Sequence, residues 1–256
     1  MVATELGCHL LLSGPFMKLF ILTISLLLSW HAYAVCDVDS TLLKANYTIE
    51  RFKGFHKLKT VDMQLLRKDR WVAHHYPVTN ITEAWYLDAR KRIKPTRYFD
   101  SHKRAIEYQA TETVHGKQEK DWNYRNSLIS EALRQKMTLT STSGNGCDKV
   151  ESYSLVNETA SIALEWLPEL ALVRSLEIKQ QHQKQVWTLQ GSTHKKNDII
   201  DFYTQRESYQ TTDYADIGDD HTDPFLTKMV TLGFIEHGAS GFYNDKGQAL
   251  GGSHIH

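Results

Sequence analysis

From Leu43 onward, apolar and polar residues alternate. Leu43, Ala45, Tyr47 and Ile49 fall on one side of an extended chain, and Lys44, Asn46, Thr48 and Glu50 on the other. A period of two marks a strand with one buried face. Val61, Met63 and Leu65 repeat it beyond a basic link at 53–59, and Trp71–Tyr76 gives a third run that Pro77 ends. Ile81–Leu87 and Ile93–Phe99 follow, joined by Asp88-Ala89-Arg90-Lys91, with a weaker run at 105–108. Short strands spaced roughly ten residues apart predict an antiparallel meander rather than alternating strand–helix units.

Residues 109–120 are polar and interrupt the strands. Asp121 then caps a predicted helix over 122–137, with Trp122, Ile129, Leu133 and Met137 on or near one face. The stretch 138–146, TLTSTSGNG, reads as a turn-rich loop. A second strand set is expected at 149–156, on either side of Pro168 through Ile162, Leu164, Trp166, Leu170, Leu172, Leu176 and Ile178, then at 185–190 and 199–206. Pro168 would break a helix, which favours strands around it. Asp223-Pro224 opens a last helix, Asp as N-cap and Pro at the first helical position. Phe225, Met229 and Leu232 share its apolar face, Gly233 stops it, and the tail from about 244 reads as flexible. The fold class is α+β: mainly a curved antiparallel β-sheet, half-barrel-like, with a lid helix and a C-terminal helix.

The N-terminus changes the picture of where this domain works. Residues 17–34, MKLFILTISLLLSWHAYA, have the charged start, apolar middle and A-x-A end of an export signal. Residues 1–16 then read as an upstream extension, and cleavage near Ala34 leaves one exported domain over 35–256, periplasmic or secreted. Val35 before Cys36 is not the small residue that lipid attachment wants. No later segment reaches the roughly 20 apolar residues of a membrane span, so an integral membrane protein is not expected. Lys+Arg and Asp+Glu number 30 each, which argues against nucleic acid as a partner. Aromatic residues at 11% argue against disorder. Of three cysteines, Cys8 leaves with the signal. Cys36 and Cys147 remain for a compartment in which disulfides persist, and are expected to pair.

Candidate chemistry is sparse. Asp213, Asp216, Asp219, Asp220, His221 and Asp223 crowd into eleven residues, with His237 a short loop beyond. Asp216, Asp219, Asp220, His221 and His237 form a candidate metal set, and a divalent cation is the sole cofactor the sequence suggests. The calcium-loop spacing is absent, because Ala215 and Ile217 hold candidate positions. A solvated acidic loop whose last Asp caps the next helix needs no ion at all. His74-His75 and the terminal His254 and His256 are further imidazoles that could take copper or nickel. Ser240 lacks the nucleophile-elbow context, so no catalytic residue is assigned, and a non-enzyme is favoured while the question stays open. Trp71, Trp85, Trp122, Trp166 and Trp187 each lie in or beside a predicted element. They suit either core packing or the wall of an apolar ligand site. Arg51, Lys53, His56, Lys57 and Lys59 form a basic patch that suits anionic lipid head groups or a strand edge blunted by Lys.

The segments Arg70-Trp71-Val72, Trp85-Tyr86-Leu87-Asp88 and Arg97-Tyr98-Phe99-Asp100 sit on an exported strand meander. That layout resembles the periplasmic lipoprotein-carrier family, the outer-membrane lipoprotein-sorting proteins, over about 44–206. The resemblance implies a curved sheet lidded by helices, with acyl chains held in an apolar cavity and the helix at 122–137 as the lid. It departs in the charge on the early strands and in the acidic C-terminal segment. The expected function is therefore a non-catalytic binding or carrier protein for an apolar or lipid-like ligand in the cell envelope. Two alternatives stand beside it: a metal-binding protein or metal-dependent hydrolase using 213–223, and a structural partner in an envelope assembly docking through an exposed sheet edge.

Overall fold

A computed structural model describes residues 35–112, 118–217 and 222–232. Their strands, in chain order, are β1 (Leu42–Lys53), β2 (His56–Lys68), β3 (Trp71–Tyr76), β4 (Ile81–Leu87), β5 (Ile93–Phe99) and β6 (Arg104–Glu107). After the polar interruption come β7 (Thr138–Ser143), β8 (Val150–Val156), β9 (Ala160–Leu167), β10 (Leu172–Gln180), β11 (Gln183–Thr193) and β12 (Gln210–Asp213). All belong to one curved, open sheet of order β12-β6-β5-β4-β3-β2-β1-β11-β10-β9-β8-β7. Every pairing is antiparallel except β12 with β6. The expected α+β class, dominated by a curved antiparallel sheet, is what the chain forms.

Alternation places two different sets of side chains on the sheet's faces. The front face carries Leu43, Ala45, Tyr47 and Ile49 of β1 and Met63 and Leu65 of β2. These join Val72, Trp85, Ile162, Leu164 and Leu176 in one large buried apolar set. The back face carries Leu66, Ala73, Ala84, Tyr98 and Ala105. Among the described residues, four α-helices lie against the sheet: α1 (Trp122–Ser127), α2 (Glu131–Gln135), α3 (Lys196–Glu207) and α4 (Pro224–Thr231). Residues beside α1 and α2, Leu128, Ile129 and Met137, join the front set, as Trp122 and Leu133 do in part. Ile199 and Tyr203 of α3 join the back set. Leu226 and Met229 of α4 bury with Phe99, Ile106 and Tyr108, a satellite of the front face.

Three local expectations give way. The helix expected over 122–137 is two short ones, because Leu128 turns left-handed at φ 64° and its N–H closes on the Tyr124 carbonyl at 2.8 Å. Ser130 then caps a new start, its hydroxyl accepting from the Leu133 N–H at 3.1 Å. The stretch expected as a strand at 199–206 is helical, since Ile199, Tyr203 and Arg206 bury along one helical face. Part of the expected loop at 138–146 is β7, an edge strand with every residue exposed and no apolar face to betray it. The last helix is as expected: Asp223 Oδ1 accepts from Phe225 N–H at 2.8 Å and Leu226 N–H at 3.3 Å. Leu226, not Leu232, shares its buried side with Met229.

Candidate functional site

The front face is closed by a thin layer, and polar side chains attach that layer. Asp121 caps α1 by accepting from Tyr124 N–H at 2.9 Å, and Glu131 and Arg134 pair along α2 at 2.8 Å. Neither helix exceeds six residues, too short to be stable alone. What holds them is the sheet beneath.

Arg67 is the centre of that attachment. It follows Val61, Met63 and Leu65 at the same parity, so β2 aims it into the front apolar set beside Leu43 and Val72. It is 2% exposed. Its Nε and Nη2 donate to the Asn126 carbonyl of α1 at 2.8 and 2.6 Å. Nη1 donates to the carbonyls of Ser40 at 3.1 Å and Leu170 at 2.8 Å, and Nη2 also to that of Ala171 at 2.6 Å. All five guanidinium N–H groups are used, on carbonyls from three separate stretches of chain. Among the described residues no carboxylate pairs with it. Burial pushes its pKa down to about 10, so it stays charged at neutral pH.

A polar row runs across the same face. Cross-strand register aligns Leu65, His74, Glu83, Arg97 and Ile106. Arg97 and Glu83 form a buried ion pair at 2.5 Å. His74 donates from Nε2 to the Arg125 carbonyl of α1 at 2.7 Å and stacks edge-on to Trp85. Burial, reinforced by the Arg125 cation, lowers its pKa to about 3, so the ring is neutral. Arg125 lies over the Trp85 ring at 4.3 Å and pairs with Glu119 at 2.6 Å. The closing layer is thus fixed by Arg67 and His74 to backbone carbonyls, and by Arg125 to an aromatic face.

The five tryptophans do not share one wall. Trp85 and Trp166 are buried in the front set, and Trp122 and Trp187 pack against it. Trp71 is on the back face, with Tyr86 at 4.8 Å and Tyr203 at 6.3 Å. Of the candidate metal set, Asp216 is exposed, whereas Asp219, Asp220, His221 and His237 lie outside the described residues, as do Ser240, His254 and His256. Two neighbouring carboxylates are engaged elsewhere: Asp213 accepts from Gln109 at 2.5 Å, and Asp223 caps α4 and pairs with Arg104 at 2.6 Å. Among the described residues no group of three metal-ligating side chains converges. Cys36 and Cys147 form a disulfide, as expected. The expected export signal over 17–34 lies outside the described residues, among which no helix is long and apolar enough to cross a membrane.

No family model and no curated protein sequence matches the chain. Among solved structures, PNGF-II in two crystal forms aligns at TM-scores of 0.38 and 0.37 and identities of 8% and 9%. Those alignments cover 66% and 74% of this chain but 31% and 33% of PNGF-II, so the chain spans about a third of that protein's length. An outer membrane lipoprotein-sorting protein domain from Vibrio parahaemolyticus aligns at a TM-score of 0.33 and 7% identity, over 66% of this chain and 93% of that one. These are weak structural resemblances, and none transfers a function.

Sequence reasoning passed over Arg67. Its signal was the parity itself: a charged residue at the inward position of a strand whose other inward positions are apolar.

Proposed function

We propose that this is a non-catalytic carrier of the periplasm or the secreted space, which takes an apolar, lipid-like ligand between the front face of its sheet and the α1–α2 layer. The observation that carries this reading is the manner of closure. A large apolar face is covered by two short helices whose attachment runs through a buried cation bonded to carbonyls. The layer also packs Leu128, Ile129 and Met137 into the front apolar set, a contact an acyl chain would replace in kind, while the carbonyl–guanidinium bonds exchange for water and re-form. An acyl chain entering there buries apolar surface at about 25 cal/mol per Å², before the costs of binding and of displacing the layer. The disulfide is consistent with an oxidising compartment.

A photoactivatable palmitate analogue tests the site. Adducts are expected on front-face residues such as Met63, Leu65 and Leu164 and on Leu128 or Leu133 of the covering layer. Adducts confined to the back face, around Leu66 and Tyr203, or scattered over exposed residues would overturn the reading. Native mass spectrometry of protein purified from its own compartment should show a co-purified lipid mass.

One observation favours a second reading, docking in an envelope assembly by strand addition. β7, of sequence TLTSTS, ends the sheet fully exposed, and no Lys, Pro or inward charge blunts it. A complex that survives removal of lipid and is lost when a proline is placed in β7 would support this second reading.

A further inference from the structure

Two hairpin tips adjoin at one end of the sheet, and together they gather cations around bare apolar side chains. β1 turns into β2 through Gly54 and Phe55, with Lys53 opposite His56. Gly54 takes φ +58°, the first-position glycine that a two-residue hairpin of this kind favours. Phe55 is left at the apex, fully exposed. Just behind it, Arg51 pairs with Lys59 and Phe52 with Lys57, so Leu58 is the extra residue of a bulge and is 64% exposed. The β10–β11 tip lies alongside, tied by the Gly54 N–H to the His182 carbonyl at 2.7 Å. Residues 51–60 and 178–185 contain Arg51, Lys53, Lys57, Lys59, Lys179 and Lys184 and no Asp or Glu. The nearest acids, Glu50 and Glu177, each pair with one lysine, Lys57 and Lys179. Among the described residues, Arg51, Lys53, Lys59 and Lys184 enter no ion pair. The whole chain is neutral, so this charge is local.

We propose that the paired tips dock the protein on an anionic bilayer surface, with Phe55 and Leu58 entering the interface while the cations meet lipid phosphates. Charge complementarity selects the partner, since juxtamembrane Lys and Arg are attracted to anionic leaflets. Shape selects it as well. A stable protein interface wants a broad complementary patch of about 800 Å² per side, and a convex two-residue apex offers little of that. A fluid surface closes around such an apex whatever its outline. Long lysine side chains snorkel to the head groups while the aromatic ring enters below them. This inference does not rest on the ligand site proposed above, which lies elsewhere on the sheet.

Co-sedimentation of the purified full chain tests it. The probes are vesicles of phosphatidylethanolamine with phosphatidylglycerol, compared with vesicles of phosphatidylcholine alone. Binding is expected to the anionic vesicles and to weaken at high salt. F55S should lower the partition coefficient about tenfold. Changing Lys53, Lys59 and Lys184 together to Gln should lower it by about a hundredfold, at roughly fivefold per cation. F55L should retain binding, and unchanged urea midpoints for all three variants would show that their folds are intact. The proposal is overturned by absence of binding to anionic vesicles, by equal binding to neutral ones, or by F55S and the triple variant binding like wild type. It is also overturned if F55S leaves vesicle binding intact but loses a cross-linked envelope protein, which would make the tips a protein interface.

Discussion

Two side chains on the front face show how burial decides chemistry here. Arg67 keeps its charge because five donors meet carbonyl dipoles, whereas His74 is neutral because its surroundings are apolar and Arg125 is close by. The consequence for stability has a definite sign. The His74 pKa is near 3 in the folded protein and near 6.5 when unfolded, so the unfolded chain binds the proton first as pH falls. Its contribution is complete above about pH 6.5 and declines progressively from there towards about pH 3. By pH 4.5 the loss should reach about 3 kcal/mol. H74Q, which retains a donor for the Arg125 carbonyl, should flatten that part of the pH–stability curve. Urea unfolding at a series of pH values checks this, and equal slopes for wild type and variant would refute it. The sequence placed His74 in a short strand but not on a face, because Trp71–Tyr76 carries apolar residues at both parities. Its neutrality was not legible either, because burial by α1 comes from residues some fifty positions away.

Most strands with buried apolar residues were legible, and elements without them were not. β1 and the second half of β2 alternate over enough residues for the period to register, β3 to β5 stand out as short apolar-rich runs set off by turn residues, and Asp223-Pro224 announces α4 by cap chemistry alone. β7 has no buried side, and β12 is four residues long. α3 holds Ile199, Phe202, Tyr203 and Arg206 at helical spacing, but a run beginning Ile-Ile and continuing Phe-Tyr also suits a strand. A long-range contact settles that ambiguity. Arg206 donates from Nη2 to Asp100 at 2.9 Å and from Nε to Thr82 at 3.0 Å, while its guanidinium stacks on Phe202 at 3.5 Å. Asp100 also meets His75 at 3.3 Å and accepts from the Thr82 and Tyr209 hydroxyls at 2.7 and 3.2 Å. Burial raises the Asp100 pKa, but the bonds from His75 and Thr82 together with the Arg206 charge outweigh it and hold the carboxyl below its usual value. Arg206→Leu leaves that buried carboxylate short of its cation and should cost about 3 kcal/mol. Amide exchange should rise first in α3, and uniform loosening of the whole sheet would show that the helix is not separately anchored.

The largest-scale feature is the seam where the chain's two halves meet. β1 sits between β2, its neighbour in sequence, and β11, more than a hundred residues later. Alternation predicts that each half is a meander. It carries no information about which strands pair between halves, so the seam was not legible. The disulfide acts at this same scale. Cys36 lies just before β1 and Cys147 just before β8, two places separated in the sheet by β11, β10 and β9. The cross-link therefore ties the start of the first half to the outer part of the second, across the face that α1 and α2 cover. It closes a span of 111 residues, for which the chain-entropy account gives about 4–5 kcal/mol of stabilisation. Cys36→Ala with Cys147→Ala should lower the urea midpoint by that equivalent, and reducing agent should bring wild type to the same value. Because Cys36 also packs against the front apolar set, the double variant should show faster amide exchange at 121–136 than at β3 and β4. If the midpoint falls while those two regions loosen equally, the disulfide constrains only the unfolded chain and plays no part in holding the front face closed.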